Sequence, residues 1–94
     1  MHLDEWERYN YIKESYRVLK NGGQLLVNNI NICSAEGWKL FLEHCSLNPQ
    51  DRPLNISKTS TSTEIENYFE KVGFSDVTTT KDDISLWLTV CGKK

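Results

Sequence analysis

The stretch RVLKNGGQLLVNN, Arg17 to Asn29, decides the fold. It reads as a helix that stops at two glycines and feeds directly into a buried strand. Gly22 or Gly23 supplies the left-handed conformation that ends a helix without a Cβ penalty. Leu25, Leu26 and Val27 then form an unbroken apolar run, as expected of a strand covered on both faces in a layered α/β sheet. Asn28, Asn29 and Asn31 follow at the strand's carboxyl end, where open α/β sheets bind ligands. They either face such a ligand or turn the chain into the next helix.

Upstream, Asp4 with Glu7 three residues on forms a box-like cap for a first helix. The stripe Trp6, Tyr9, Ile12, Tyr16 and Leu19 advances in steps of three and four, placing these residues on one face. Tyr9, Tyr11 and Tyr16 read as rings packed on a sheet with their hydroxyls in water, against the sharper reading of an aromatic binding face.

Downstream, Ser34 caps a second helix with the stripe Trp38, Phe41, Leu42 and Cys45. Residues 46–62, SLNPQDRPLNISKTSTS, contain both prolines of the chain and form a loop, either a lid or a flexible connection. Thr63, with Glu66 reaching back, caps a third helix whose stripe is Ile65, Tyr68, Phe69 and Val72. Gly73 ends it. Phe74 to Thr80 suits a strand, Lys81 to Asp83 a short polar turn, and Ile84 to Cys91 a last strand. Ile84, Leu86, Leu88 and Val90 lie on one face of that strand and Trp87 on the other, which implies a central position with Trp87 packed beneath a helix. The short turn makes the last two strands antiparallel, whereas helical crossovers favour parallel pairing earlier in the chain.

Composition narrows the function classes. A chain of 94 residues supports one domain, spanning 1–94, and its net charge of −2 offers no basic field for a nucleic-acid backbone. No window approaches 18 consecutive apolar residues, and MHLDEWER is too polar and acidic for a signal peptide, so a cytoplasmic protein is expected, with no membrane partner. Cys33, Cys45 and Cys91 are odd in number and widely spaced, which fits reduced thiols in or near a core. His2 and His44 stand at no metal-ligand spacing from a cysteine pair, and no metal site is expected. His44 beside Cys45 reads as a surface histidine and a packed cysteine, because helical neighbours point about 100° apart.

The segments RVLKNGG followed by QLLVNN, then EKVGF about fifty residues later, then the terminal LWLTVCGKK, resemble the C-terminal half of class I S-adenosylmethionine-dependent methyltransferases. Asn21 replaces the proline common in that family. The opening MHLDEW resembles the segment that follows the family's fourth strand, and the expectation this resemblance implies is that Met1 is an internal methionine serving as the start. The resemblance implies an α/β, partial Rossmann-like methyltransferase fold. Its mixed sheet has three strands, the family's fifth, seventh and sixth, with the last strand central and antiparallel, and three helices flank it.

The resemblance also implies what to look for in function. S-adenosylmethionine serves the intact family, but this chain has no glycine-rich GxGxG loop, so no cofactor-binding residue carries over and none is expected to bind this chain alone. Its five glycines read as ends of helices or turns. By position, Asn28, Asn29 and Asn31 match the substrate side, with residues 46–62 as cover. The leading expectation is a substrate-side methyltransferase fragment, inactive alone, whose intact form acts on a small molecule. The alternative is a stand-alone, non-catalytic α/β module that associates through an open sheet edge, as a homodimer through the strand Gln24 to Asn29.

Overall fold

The structure, a computed structural model, describes residues 4–52 and 58–94. Asp4 starts the first helix, α1 (Glu5–Val18), by accepting from the Glu7 backbone N–H at 2.9 Å. Leu19 leaves the helix in extended conformation, and Gly22 takes φ +85°. The joint is then stitched to the chain's far end. Gly22 N–H donates to the Lys94 carbonyl at 3.2 Å, and Lys94 N–H donates to the Gly23 carbonyl at 2.8 Å.

From there runs β1 (Gln24–Asn31), followed by α2 (Ala35–Cys45), a 3₁₀ turn at Pro49–Asp51, β2 (Thr59–Ser60), α3 (Ser62–Val72), β3 (Ser75–Thr80) and β4 (Trp87–Lys93). The sheet order is β2-β1-β4-β3. β4 is antiparallel to both β1 and β3, so the last strand is central as expected. The sheet has four strands rather than three, because Thr59 and Ser60 pair in parallel with Ile30 and Asn31. Part of the expected loop thus joins the sheet. The middle of that loop, residues 53–57, lies outside the described residues, as does His2.

Strand alternation sends Val27, Leu88 and Val90 to one face, where they meet Ile12 of α1, Ile65 and Phe69 of α3, and Phe74. Gly92 faces the same side. A Cβ there would stand 2.6 Å from a Phe69 ring carbon and 2.9 Å from Phe74 Cβ, so the missing side chain is what lets both rings close over β4. Gly73, at φ +121°, caps α3 as expected. The reading that all five glycines end helices or turns fails at Gly92, inside a strand, and at Gly37, inside the first turn of α2.

Several expectations are corrected by packing. β1 is covered on both faces only toward its carboxyl end, since Leu26 is 62% exposed whereas Ile30, on the same face, is buried. Trp87 does lie opposite Leu88 and Val90, but it is 47% exposed rather than packed beneath a helix. Ile84 and Leu86 precede the strand instead of extending it. The carbonyls of Asp83 and Ile84 accept from the first N–H groups of α2, Ala35 (2.8 Å) and Glu36 (3.1 Å), and so are withdrawn from the ladder. The connection to β4 therefore spans residues 81–86. Asp82 organises it, its carboxylate accepting from Ile84 N, Ser85 N and the Ser85 hydroxyl, which hold its pKa below the usual carboxylate range.

In α1 the exposed Trp6 is replaced in the buried set by Arg8, one turn before Ile12. The α2 stripe stays half open, with Trp38 and Leu42 about half exposed and Trp38 stacked on Phe41. No cysteine is packed in the core; Cys33 and Cys45 are exposed and Cys91 is intermediate, all three free thiols. α3 is capped by Thr61, which accepts from Glu64 N at 3.2 Å, not by Thr63.

Candidate functional site at the carboxyl end of β1

Alternation along β1 separates the three asparagines. Asn28 projects to the face of Leu26 and Trp87, and its Oδ1 accepts from the Thr89 hydroxyl directly across the β1–β4 pair, at 2.6 Å. Asn29 and Asn31 project to the face that carries α1 and α3. The three therefore do not converge on one ligand-sized space. Asn31 serves the turn: its Oδ1 accepts from Cys33 N at 3.0 Å, and its carbonyl accepts from the Ser34 hydroxyl at 2.9 Å. Ser34 in turn caps α2 by accepting from Gly37 N at 3.0 Å, as the sequence indicates.

Asn29 is different. Its side chain is fully buried, and neither its Oδ1 nor its Nδ2 has a hydrogen-bond partner. On the same side of the sheet, against β2, lies Arg8, a residue that sequence reasoning passes over. Arg8 is 4% exposed, donates through Nη1 to Glu64 Oε2 at 2.8 Å, and through Nη2 to the carbonyls of Lys58 (3.3 Å) and Thr59 (3.1 Å). Its Nε has no partner. The corner thus holds a buried carboxamide, with an acceptor oxygen and a donor NH₂ group, and a guanidinium whose Nε–H is unused.

The surrounding groups are polar and mostly engaged. Lys81 Nζ donates to the Ser62 hydroxyl at 2.7 Å. Burial, followed by the negative charge of Glu64, raises the Tyr68 pKa. The polar atoms left without a partner there, Asn29 Oδ1 and Nδ2 and Arg8 Nε, are all closed to solvent. Among the described residues, no three histidine, cysteine or acidic side chains form a group that could hold a metal ion.

A helix N-terminus with free N–H groups is a ready receptor for an anionic group such as a carboxylate or phosphate. In α2 these donors are already committed: Ala35 and Glu36 to Asp83 and Ile84, Gly37 to the Ser34 hydroxyl, and Trp38 to the Ser34 carbonyl at 2.9 Å. In α3 Glu64 N and Ile65 N are taken by Thr61. These N–H groups are therefore not available to an anionic ligand. No helix is long and apolar enough to cross a membrane.

No protein-family model matches the chain, and no curated protein sequence matches it. Its fold, however, is shared with solved structures of one class, the S-adenosylmethionine-dependent methyltransferases. The apo crystal structure of the methyltransferase SibL superposes with a TM-score of 0.73 at 18% identity, over 98% of this chain and 27% of SibL. A Thermotoga maritima methyltransferase, described as a possible histamine N-methyltransferase, gives a TM-score of 0.71 at 18% identity, over 92% of this chain and 48% of its own. The chain therefore has the fold of part of such a methyltransferase, with a mixed sheet and three helices. It spans about a quarter and about half of the lengths of these two proteins.

Proposed function

We propose that this chain is the substrate-side, C-terminal portion of an S-adenosylmethionine-dependent methyltransferase domain acting on a small molecule, and that alone it does not bind the cofactor. The observation that carries the reading is the likeness to two such enzymes over nearly the whole chain, together with an antiparallel central strand between β1 and β3. In the intact domain the cofactor would supply the methyl group, and the contribution of this portion would be to position the substrate nucleophile at the carboxyl end of β1, where the Asn29 carboxamide is buried without a hydrogen-bond partner. Calorimetric titration of the 94-residue protein with S-adenosylmethionine is expected to give no saturable heat. A dissociation constant in the low micromolar range would overturn the reading and make the chain a cofactor-binding unit in itself.

A second reading rests on the edge of the sheet. β2 covers β1 only at Ile30 and Asn31, so residues 24–29 have no strand neighbour on that side among the described residues. No proline or lysine guards those positions. Two copies pairing antiparallel along this edge would form a twofold dimer. Sedimentation equilibrium at micromolar concentration is expected to show a dimer mass. A monomer mass, with fast exchange of the amides of residues 24–29, would remove this reading.

A further inference from the structure

At the opposite end of the sheet from the asparagines lies a groove of about 520 Å³ between α1 and the last turn of α3. Its apolar wall is Tyr9, Tyr16 and Val72. Both rings are held in place: Tyr9 meets Tyr68 edge-on at 5.9 Å, and Tyr16 meets Phe74 edge-on at 4.9 Å. Gly73 carries no side chain, so the Tyr16 hydroxyl reaches across the end of α3.

The rim is cationic. Lys13, Arg17, Lys71 and Lys94 line the groove against a single acidic side chain, Glu14, on a chain whose net charge is −2. Two of the cations are already engaged. Arg17 pairs with Glu14, and the Lys94 ammonium donates to the carbonyls of Tyr16 (2.6 Å) and Leu19 (2.7 Å) while resting over the Tyr16 ring at 4.8 Å. Lys13 on α1 and Lys71 on α3 make no hydrogen bond or ion pair with any described residue. The groove therefore combines a preset aromatic wall with two ammonium groups that make no hydrogen bond among the described residues, one on each bank, Lys13 sharing the field of Glu14 with Arg17.

We propose that this groove binds a small aromatic anion, with its ring against Tyr9, Tyr16 and Val72 and its charged group between Lys13 and Lys71. The volume suits one ring system with an anionic substituent. An anion also relieves the repulsion that builds where like charges share a local surface. The inference is independent of the methyltransferase reading, because it involves neither the carboxyl end of β1 nor any cofactor contact.

Phenyl phosphate is the probe, with inorganic phosphate and phenol supplying its charge and its ring separately. In amide-resolved NMR titrations, phenyl phosphate is expected to produce saturable shifts confined to the residues around Lys13, Tyr16 and Lys71, with a dissociation constant below about 1 mM. Each control is expected to bind about tenfold more weakly or worse. The double variant Lys13→Gln/Lys71→Gln changes only exposed side chains and is expected to lose at least about tenfold in affinity with an unchanged circular dichroism spectrum. Phosphate binding as tightly as phenyl phosphate would overturn the proposal, as would shifts spread equally over Lys20, Lys39 and Lys58. Should the double variant unfold, the parent protein decides: raising salt from about 0.05 to about 0.3 M must weaken binding, and unchanged affinity would overturn the charged contact.

Discussion

Replacing Gly37 by alanine is expected to cost about 3 kcal/mol of stability or more, at the upper end of what overpacking does. A Cβ at this position would lie 1.7 Å from the Asn31 carbonyl oxygen and 2.6 Å from its carbon. Neither atom is the end of a flexible side chain. The carbonyl is pinned by Ser34 N and the Ser34 hydroxyl, and Asn31 N is itself held by the Leu86 carbonyl at 2.8 Å. To admit one methyl group, α2 must lift away from β1, and the bonds from Ala35 and Glu36 to residues 83 and 84 go with it. Helix propensity alone argues the other way, favouring alanine by about 1 kcal/mol. The sign of the effect therefore tests the seating of α2. Urea unfolding of G37A with a midpoint equal to or above the parent's would show that the helix does not rest on Asn31.

The second large loss is expected at Arg8. Arg8→Met keeps most of the side chain's length but leaves the Glu64 carboxylate and the carbonyls of Lys58 and Thr59 without their donor. Removing one partner of a buried ion pair costs about 3–5 kcal/mol, and the partial exposure of Glu64, 29%, lets water recover some of this, so about 3 kcal/mol is expected. The damage should also be local in a characteristic way. Ile32 N–H donates to the Ser60 carbonyl at 3.0 Å, a bond that persists only while β2 is held at the edge. Amide exchange at Ile32 should accelerate more than at Val27 or Val90. Protection at Ile32 equal to the parent's would mean that Arg8 does not clamp β2. The double variant Arg8→Met/Glu64→Met should recover part of the loss, since the stranded charge is gone.

How much of this was legible in the sequence depends on the range of the interaction. Asp4 and Ser34 were readable as caps because the bonds they make span three residues. The α3 cap was misplaced by two residues because TSTSTEIE contains two overlapping patterns, Thr61 with Glu64 and Thr63 with Glu66. The choice between them is made from outside the helix, by the pairing of Ser60 with Asn31. The stripe of α3 was right because its face is buried by the sheet, whereas that of α2 was only half right because the sheet offers it little to pack against.

Ile84 and Leu86 continue the period-two pattern of β4, but Asp83 and Ile84 are claimed by the N-terminus of α2, about fifty residues away in sequence, and only the Leu86 carbonyl still bonds β1, at Asn31 N. At the candidate site, strand alternation already separates Asn28 from Asn29 and Asn31. What no local pattern could show is Arg8, whose burial depends on Glu64 and on the carbonyls of residues 58 and 59.

The central place of β4 has a kinetic meaning. Gln24 pairs with Lys93 and Val27 with Val90, so at these pairs the principal ladder of the sheet joins segments more than sixty residues apart. Closing so long a loop comes before any ladder bond rewards it, and its entropy cost grows with the logarithm of loop length. β1 and β3 do not touch each other and have only β4 in common. Neither can begin a sheet with the other while β4 is absent. Folding is therefore expected to be slow for a chain this short and to gain most of its order in one late step, with α1 and α3 fluctuating until the last strand slides between β1 and β3.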